Sequence, residues 1–514
     1  MAYPQHLMQE RSRRNLMYPI VFLWGLAVVV IVTLLGSDAG FGDHLSKYYL
    51  LPWCLATGAV IVSPSLYLIY KGRFDPFHPL VFPAWSYFFP GFFIGGLVLA
   101  AGLSQPYFLS YVQDEHYNLP LTFVYIMLGY GGLTAGFAIP YGRRIGARMA
   151  KWLPVWEMTD DQVALPGLIL LALGLANTAL AFAQGIIGFQ KVQEIGVFDG
   201  ILFLLSLLWL EATFLLWLYI FRSRTHGTWH FLIAAVLLFT SLTKSAFQGN
   251  RGSLLQIFIV IAFAYVFSGR KLTTRHYAVG GFIVIIALVG GMIYGTTFRT
   301  IKQSQEQVGI VEYASTVGSA FDKLGDQDLG TTLVSGFGAL AERIDSVSSL
   351  AVVVSNYEDL APYEESWGIN DNIYVDTVTF LIPRVIWPDK PVSIEPSKYA
   401  DLYFNFSENS FTMTPMGDLL RNFGPIGVPL GMIFLGFLIR IIYATLIENQ
   451  TFSYWRATVF YMLLTTISYE GVYGLIIPYF FKIGVTAVVG MCIVVILARA
   501  FGHVPSAFRA GAAR

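Results

Sequence analysis

The sequence predicts an all-α, polytopic membrane protein with about twelve transmembrane helices and one large polar segment late in the chain. Composition is the first reason. Of 514 residues 55% are apolar and only 12% are charged, a balance that excludes a soluble domain of this length. Periodicity is the second: the apolar residues come in runs of roughly 20, the length a helix needs to cross a 30 Å hydrocarbon core. Such runs are too long and continuous for the alternating strands of a membrane barrel.

In chain order the apolar windows lie near 16–36, 48–70, 80–103, 119–141, 163–187, 197–221, 229–246, 253–268, 276–296, 425–447, 456–478 and 482–501. Residues 1–296 thus hold nine spans, 297–424 form an extracytoplasmic loop with short helices, 425–501 hold three more spans and 502–514 form a tail. Orientation follows from the basic residues, because Lys and Arg in short loops stay on the cytoplasmic side. Arg11, Arg13 and Arg14 precede the first span, Lys71 and Arg73 follow the second, and Arg143, Arg144, Arg148 and Lys151 follow the fourth. The alternation continues through Arg222 and Arg224, then Arg270, Lys271 and Arg275, to Arg499, Arg509 and Arg514. Both termini are expected to be cytoplasmic and the 297–424 loop outside, periplasmic if the membrane is a bacterial inner membrane.

The first window follows a basic tail and lacks a small-residue cleavage site, so it reads as a retained helix. Cys54 and Cys492 sit inside apolar windows and predict neither a disulfide nor a cysteine metal site. No zinc pattern, Walker loop, dinucleotide fingerprint or Gly-x-Ser-x-Gly elbow stands in a credible context, so no cofactor, metal or nucleic-acid partner is expected. Asp and Glu outnumber Lys and Arg about two to one in the outer segment. Any Arg there that serves an anion must act by position, because the wider field is not positive.

Within that segment, 331–354 carries Leu333, Phe337, Leu340, Ile344, Val347 and Leu350 at helical spacing and predicts one amphipathic helix. A second apolar stripe, Val375, Val378, Leu381 and Ile382, stops at Pro383 and Pro388, which break helices. Residues 405–414 read as a loop. Tyr363, Trp367, Tyr374, Trp387, Tyr399, Tyr403 and Phe406 crowd the segment; such rings pack on sugar faces but also collect at membrane interfaces.

A second unusual place is Thr243-Lys244-Ser245-Ala246-Phe247-Gln248-Gly249-Asn250-Arg251-Gly252, an outer loop with two cations where the charge rule expects none. Either Lys244 snorkels and Arg251 caps the next helix, or the glycines open the backbone while Arg251 presents its planar fork to a phosphate.

Three motifs in order carry a resemblance: Gly249-Asn250-Arg251-Gly252, then Pro383-Arg384-Val385-Ile386-Trp387-Pro388-Asp389-Lys390-Pro391, then Met416-Gly417-Asp418-Leu419-Leu420-Arg421-Asn422-Phe423-Gly424-Pro425-Ile426-Gly427. Together, over roughly 244–436, they resemble the O-antigen polymerase (Wzy-like) family of oligosaccharide repeat-unit polymerases; the first half of the chain matches only as a stack of helices. The resemblance implies a GT-C-like membrane glycosyltransferase that needs no nucleotide sugar or metal. It would join polyprenyl-diphosphate-linked oligosaccharides of O-antigen, capsule or exopolysaccharide outside the cytoplasmic membrane, beside membrane lipids, a flippase and a chain-length regulator as partners.

Departure of a lipid diphosphate builds negative charge that fixed cations stabilise. Arg251, Arg384 and Arg421 each lie in one motif and are the first candidates; Lys244, Arg299, Lys302, Arg343 and Lys390 stand behind them, with Asn250, Trp387 and Asp418 as substrate contacts. Arg384 could instead pair with Asp389, and Arg421 could anchor its helix at the interface. A base for the acceptor hydroxyl could come from Glu342, Asp345, Asp376, Asp389, Asp418 or Glu470. Glu470 and Glu211 read as intramembrane carboxylates, with roles in chemistry or in neutralising an Arg. Two other readings compete: an O-antigen ligase, although no outer-loop His stands beside these motifs, and a lipid-linked sugar flippase or secondary transporter, although the two halves of the chain look dissimilar.

Overall fold

A computed structural model describes residues 44–104, 106–156, 158–190, 196–223, 227–249, 252–270, 272–303, 306–326, 344–369, 373–380, 382, 386–387, 390, 396–406, 413–466 and 468–501. The first window, 16–36, and the 502–514 tail lie outside these residues. Among them the regular structure is helical, and nine helices are long and apolar enough to cross a membrane.

The first half of the chain supplies α1 (Leu51–Tyr70), α2 (Val81–Ala100), α3 (Glu115–Ala138), α4 (Pro140–Trp152), α5 (Ala164–Ala183), α6 (Asp199–Arg222) and α7 (Thr228–Gln248). After these come α8 (Ser253–Phe267), only 15 residues long, and α9 (Thr274–Lys302). The 297–424 segment contributes α10 (Ile310–Asp326), α11 (Ser346–Leu360), α12 (Ile373–Thr379) and α13 (Pro396–Phe404). Helices α14 (Thr414–Leu446), α15 (Tyr454–Thr465) and α16 (Tyr473–Ala500) complete the fold.

The spine of the bundle is α3 against α14, and glycine makes it possible. A Cβ on Gly136 would lie 1.9 Å from the Ile433 carbonyl oxygen, and one on Gly436 would lie 2.0 Å from that of Leu133. In lipid the hydrophobic effect does not drive helices together, so this close backbone approach supplies the packing. The amphipathic helix α4 extends the same seam, setting Gly142 against Arg440 and Gly146 against Ile441 and Ala444. Pro140 opens α4, where its missing N–H costs nothing, and Arg143, Arg144 and Arg148 are exposed.

Helix α14 is itself broken. Gly424 has φ 67° and ψ −167°, and Pro425 follows it, so the helix restarts there. Phe423, Ile426 and Leu430 around the break are exposed on the bundle surface.

Two expectations from sequence are corrected. The 456–478 window is not one span: α15 ends at Thr465 and a new helix begins at Tyr473, which then runs unbroken through the 482–501 window. Hydroxyls of Thr465 and Thr466 bond back to carbonyls of Tyr461 and Met462 as the first helix closes, and the turn through Ser468 and Gly471 follows. Nor is 331–354 one continuous helix, since Asp345 leaves the helical region at φ −71° and ψ 88° and caps a fresh start at Ser346. Residues 327–343 lie outside the described set.

Helix α11 sits inside the bundle. Its residues Ser346 through Val354, the polar Ser346, Ser348 and Ser349 among them, are all buried, so this half of the helix has no solvent face. Its start rests on α2, where Ala84–Ile94 winds in the wider π form around Pro90 and a Cβ on Gly95 would meet the Ile344 carbonyl at 2.8 Å.

Candidate functional site

At the N-terminal end of α14 a buried charge network gathers the third motif. Arg421 Nη1 donates to Glu364 Oε2 at 2.8 Å and Nη2 to Asp418 Oδ1 at 3.2 Å. The side chains of Arg421 and Asp418 are 3% and 0% exposed, so this is a desolvated triad and not a surface pair. Asp418 and Arg421 face the same way because they are one helical turn apart. Asp418 also takes the Gly474 N–H at 3.0 Å, which fixes the start of α16, and the Asn422 amide at 3.1 Å. Glu364 comes from the short turn after α11 and accepts the Tyr403 hydroxyl at 3.1 Å, while the Arg421 guanidinium lies 4.9 Å from the Tyr399 ring centre. One cation thus ties α14 to the 361–368 turn and α13, and its partner Asp418 adds α16.

The electrostatics lean negative, with two carboxylates to one guanidinium. Burial raises the pKa of Glu364, and Arg421 pulls it partly back. The buried Tyr399 hydroxyl has no hydrogen-bond partner among the described residues. Both terminal nitrogens of Arg421 are committed to carboxylates, which makes it a held strut that shapes the site. A diphosphate would need donors from elsewhere.

The second motif reaches this network through its leading helix. The Ile373 N–H at the head of α12 donates to Asn422 Oδ1 at 3.3 Å, and Phe380 at its end packs on Phe481 of α16 with ring centres 5.4 Å apart. Beyond it Trp387 is 37% exposed, and Lys390 Nζ donates to the Ile382 carbonyl at 3.1 Å, closing the turn. Arg384 and Asp389 lie outside the described residues, as do Asn250, Arg251, Glu342 and Arg343, and so does the side chain of Asp376.

A separate group forms where the first motif begins. Gly249 ends α7 with φ 56°, and a Cβ there would meet the Phe298 ring at 2.5 Å, so α9 lies directly against the motif. Arg299, one residue on, sits 4.8 Å from the Phe189 ring centre, and Lys302 bonds the Glu306 carbonyl. Lys244 lies 3.9 Å from the Trp209 ring centre. Tyr313 of α10 bonds the Phe247 carbonyl at 2.7 Å and accepts the Phe189 N–H at 3.0 Å, packing this group together.

No family model, curated protein or solved structure matches the chain.

The carboxylates divide by position. Asp345 accepts the N–H groups of Val347 and Ser348 and the hydroxyls of Ser104 and Ser348, so both its oxygens are occupied in capping α11. Burial raises its pKa and those four bonds lower it. Glu470 is not inside a span, as the window reading expected: it stands half-buried in the turn between α15 and α16. Glu211 is fully buried in α6, with neither oxygen hydrogen-bonded among the described residues, and its carboxylate presses on Gly490 of α16. Among the described residues no group of three His, Cys, Asp or Glu is placed to hold a metal ion.

Glu364 is the residue that sequence reasoning missed. Its one local signal was an acidic pair, Glu364 and Glu365, in a turn crowded with aromatics. The partner that gives it meaning is 57 positions away.

Proposed function

We propose that the protein is a membrane glycosyltransferase of the repeat-unit polymerase kind, with a GT-C-like arrangement of about twelve spans. It would transfer a growing oligosaccharide from its polyprenyl diphosphate onto a second lipid-linked repeat unit at the outer face. The observation that carries this reading is the link between motifs: the helix leading into the Pro383–Pro391 segment begins on Asn422, the neighbour of Arg421. The head of the helix that leads into the second motif is thereby tied to the third motif.

In this reading Arg384 and Arg251 bind the diphosphate, while Arg421 holds the 361–368 turn, α13 and α16 in register around them. The break at Gly424 supports a lateral route for the lipid, because a new helix N-terminus opens there among the exposed side chains of Phe423 and Ile426. Departure of the diphosphate leaves the sugar carbon open to the acceptor hydroxyl, whose proton passes to a carboxylate or water. With Asp345 occupied in capping and Asp418 in the triad, Glu342, Asp376, Asp389 and Glu470 are the remaining candidates for that proton.

The test is the purified protein in nanodiscs, supplied with a lipid-diphosphate-linked repeat unit and followed on a gel. Ladders of longer saccharide that vanish in Arg384→Ala and Arg251→Ala support the reading. Unchanged substrate with the correct repeat unit, or full ladders from both variants, overturns it.

A further inference from the structure

The end of the bundle opposite Arg421 holds a cavity of about 700 Å³ that the proposed chemistry does not use. Arg440, which lines it, is nineteen residues further along α14, or roughly 28 Å at the rise of an α-helix. Its walls are the last turns of α1, the 72–80 connection, the junction of α3 and α4, the end of α8 and the end of α14. These elements border the basic connections that mark the cytoplasmic side by the charge rule.

The cations here exceed their carboxylates. Arg440 Nη2 lies 2.7 Å from Glu448 Oε2, and Arg143 Nε lies 3.4 Å from the same oxygen. One carboxylate therefore serves two guanidiniums. Arg73 of the 72–80 connection adds a third, exposed, against the single further lining carboxylate, Asp75. The Asp75 carboxylate accepts the Phe77 N–H at 2.9 Å, and burial pushes its pKa up to about 6. His78 is buried between the Phe137 and Tyr443 rings; desolvation first, and the Arg440 charge second, push its pKa down to about 3, so it stays neutral. The other surfaces are apolar or aromatic, and they lead along α1 through Leu68 and Tyr67, the latter 60% exposed on the bundle surface.

We infer that this cavity binds the phosphate group of an anionic membrane lipid, held by Arg143 and Arg440, with Tyr67, Leu68 and Phe137 along the start of its acyl chain. Three features select that chemistry. The excess of arginine asks for an anion, and paired guanidiniums suit a phosphate. The space is several times what one phosphate fills, and the remainder is apolar. The cytoplasmic leaflet is where anionic lipids concentrate, at about 1 kcal/mol per basic residue near the surface.

The full-length protein in detergent, titrated with phosphatidic acid and with phosphatidylcholine and read by native mass spectrometry, tests this. Phosphatidic acid is expected to bind preferentially and to resist millimolar inorganic phosphate. Arg143→Gln should weaken it about fivefold. Glu448→Gln, which releases both guanidiniums from their shared carboxylate, should tighten it by a similar factor. Arg143 is 58% exposed on its side chain, so its substitution leaves the fold intact. Equal retention of phosphatidylcholine, displacement by inorganic phosphate alone, or no change in either variant overturns the inference. None of these outcomes depends on polymerase activity.

Discussion

The two ends of α14 use arginine in opposite ways. At the N-terminal end Arg421 pairs with two carboxylates and an aromatic ring, and its side chain is 3% exposed. At the C-terminal end Arg440 shares one carboxylate with Arg143 and lines an open cavity. The ratio of carboxylate to guanidinium therefore decides what each arginine can do. An arginine in carboxylate excess is a strut whose fork is already filled; an arginine in carboxylate deficit retains charge for a ligand.

Removing each arginine is the strongest way to break that contrast. Arg421→Ala leaves Glu364 and Asp418 buried without their counter-ion and should cost about 3–5 kcal/mol, seen as a large fall in thermal stability in detergent. Arg440→Ala leaves Glu448 still neutralised by Arg143 and should cost about 1 kcal/mol. Equal losses in the two variants would erase the distinction between strut and ligand.

The seam that joins the two ends offers the next test. Gly136→Val places side-chain atoms where the Ile433 backbone already stands, and backbone cannot move aside cheaply. About 3 kcal/mol of destabilisation is expected, together with loss of both lipid retention and polymer formation. A stable variant lacking only one function would mean that the two ends are not tied through α3 and α14.

Asp345→Ala should cost about 2 kcal/mol through the lost cap on α11, with local deprotection of Ser346–Val354 in hydrogen exchange. An unchanged exchange pattern would show that the burial of α11 holds it without the cap.

The smallest effect is the pH dependence that Glu364 contributes. Because burial raises the pKa of Glu364 in the fold, the stability it contributes is full below the ordinary glutamate range and is lost as pH rises through the higher folded value. The melting temperature of the wild type relative to Glu364→Gln should accordingly decline across that range. A difference that grows with pH would mean that Arg421, and not desolvation, dominates the carboxylate.

Much of the membrane fold was legible in the sequence, for a physical reason. Lipid demands a helix of about 20 apolar residues, and windows such as 48–70 and 197–221 meet that demand within a few positions of the observed ends. Hydropathy failed where apolar content continued through a turn, as at 466–472, because averaging hides a single break between two helices. It failed again at Asp345, where an Asp at the head of an apolar run is an ordinary cap signal that a long apolar stripe obscured. The site was less legible. Arg421 and Asp418 stand in one motif and could be singled out together, whereas Glu364, Tyr399 and Tyr403 join them only through tertiary contact. Nor could one sequence tell that Arg440, inside an apolar helix, faces a cavity.

The most direct test of the central claim is polymer length on a gel, measured for wild-type protein and Arg384→Ala in nanodiscs with the same lipid-diphosphate-linked repeat unit. The account predicts a ladder from the wild type and only unextended repeat unit from the variant, with both proteins folded and equally abundant. A wild type that leaves a competent repeat unit unextended, or an Arg384→Ala ladder of normal length, would contradict it.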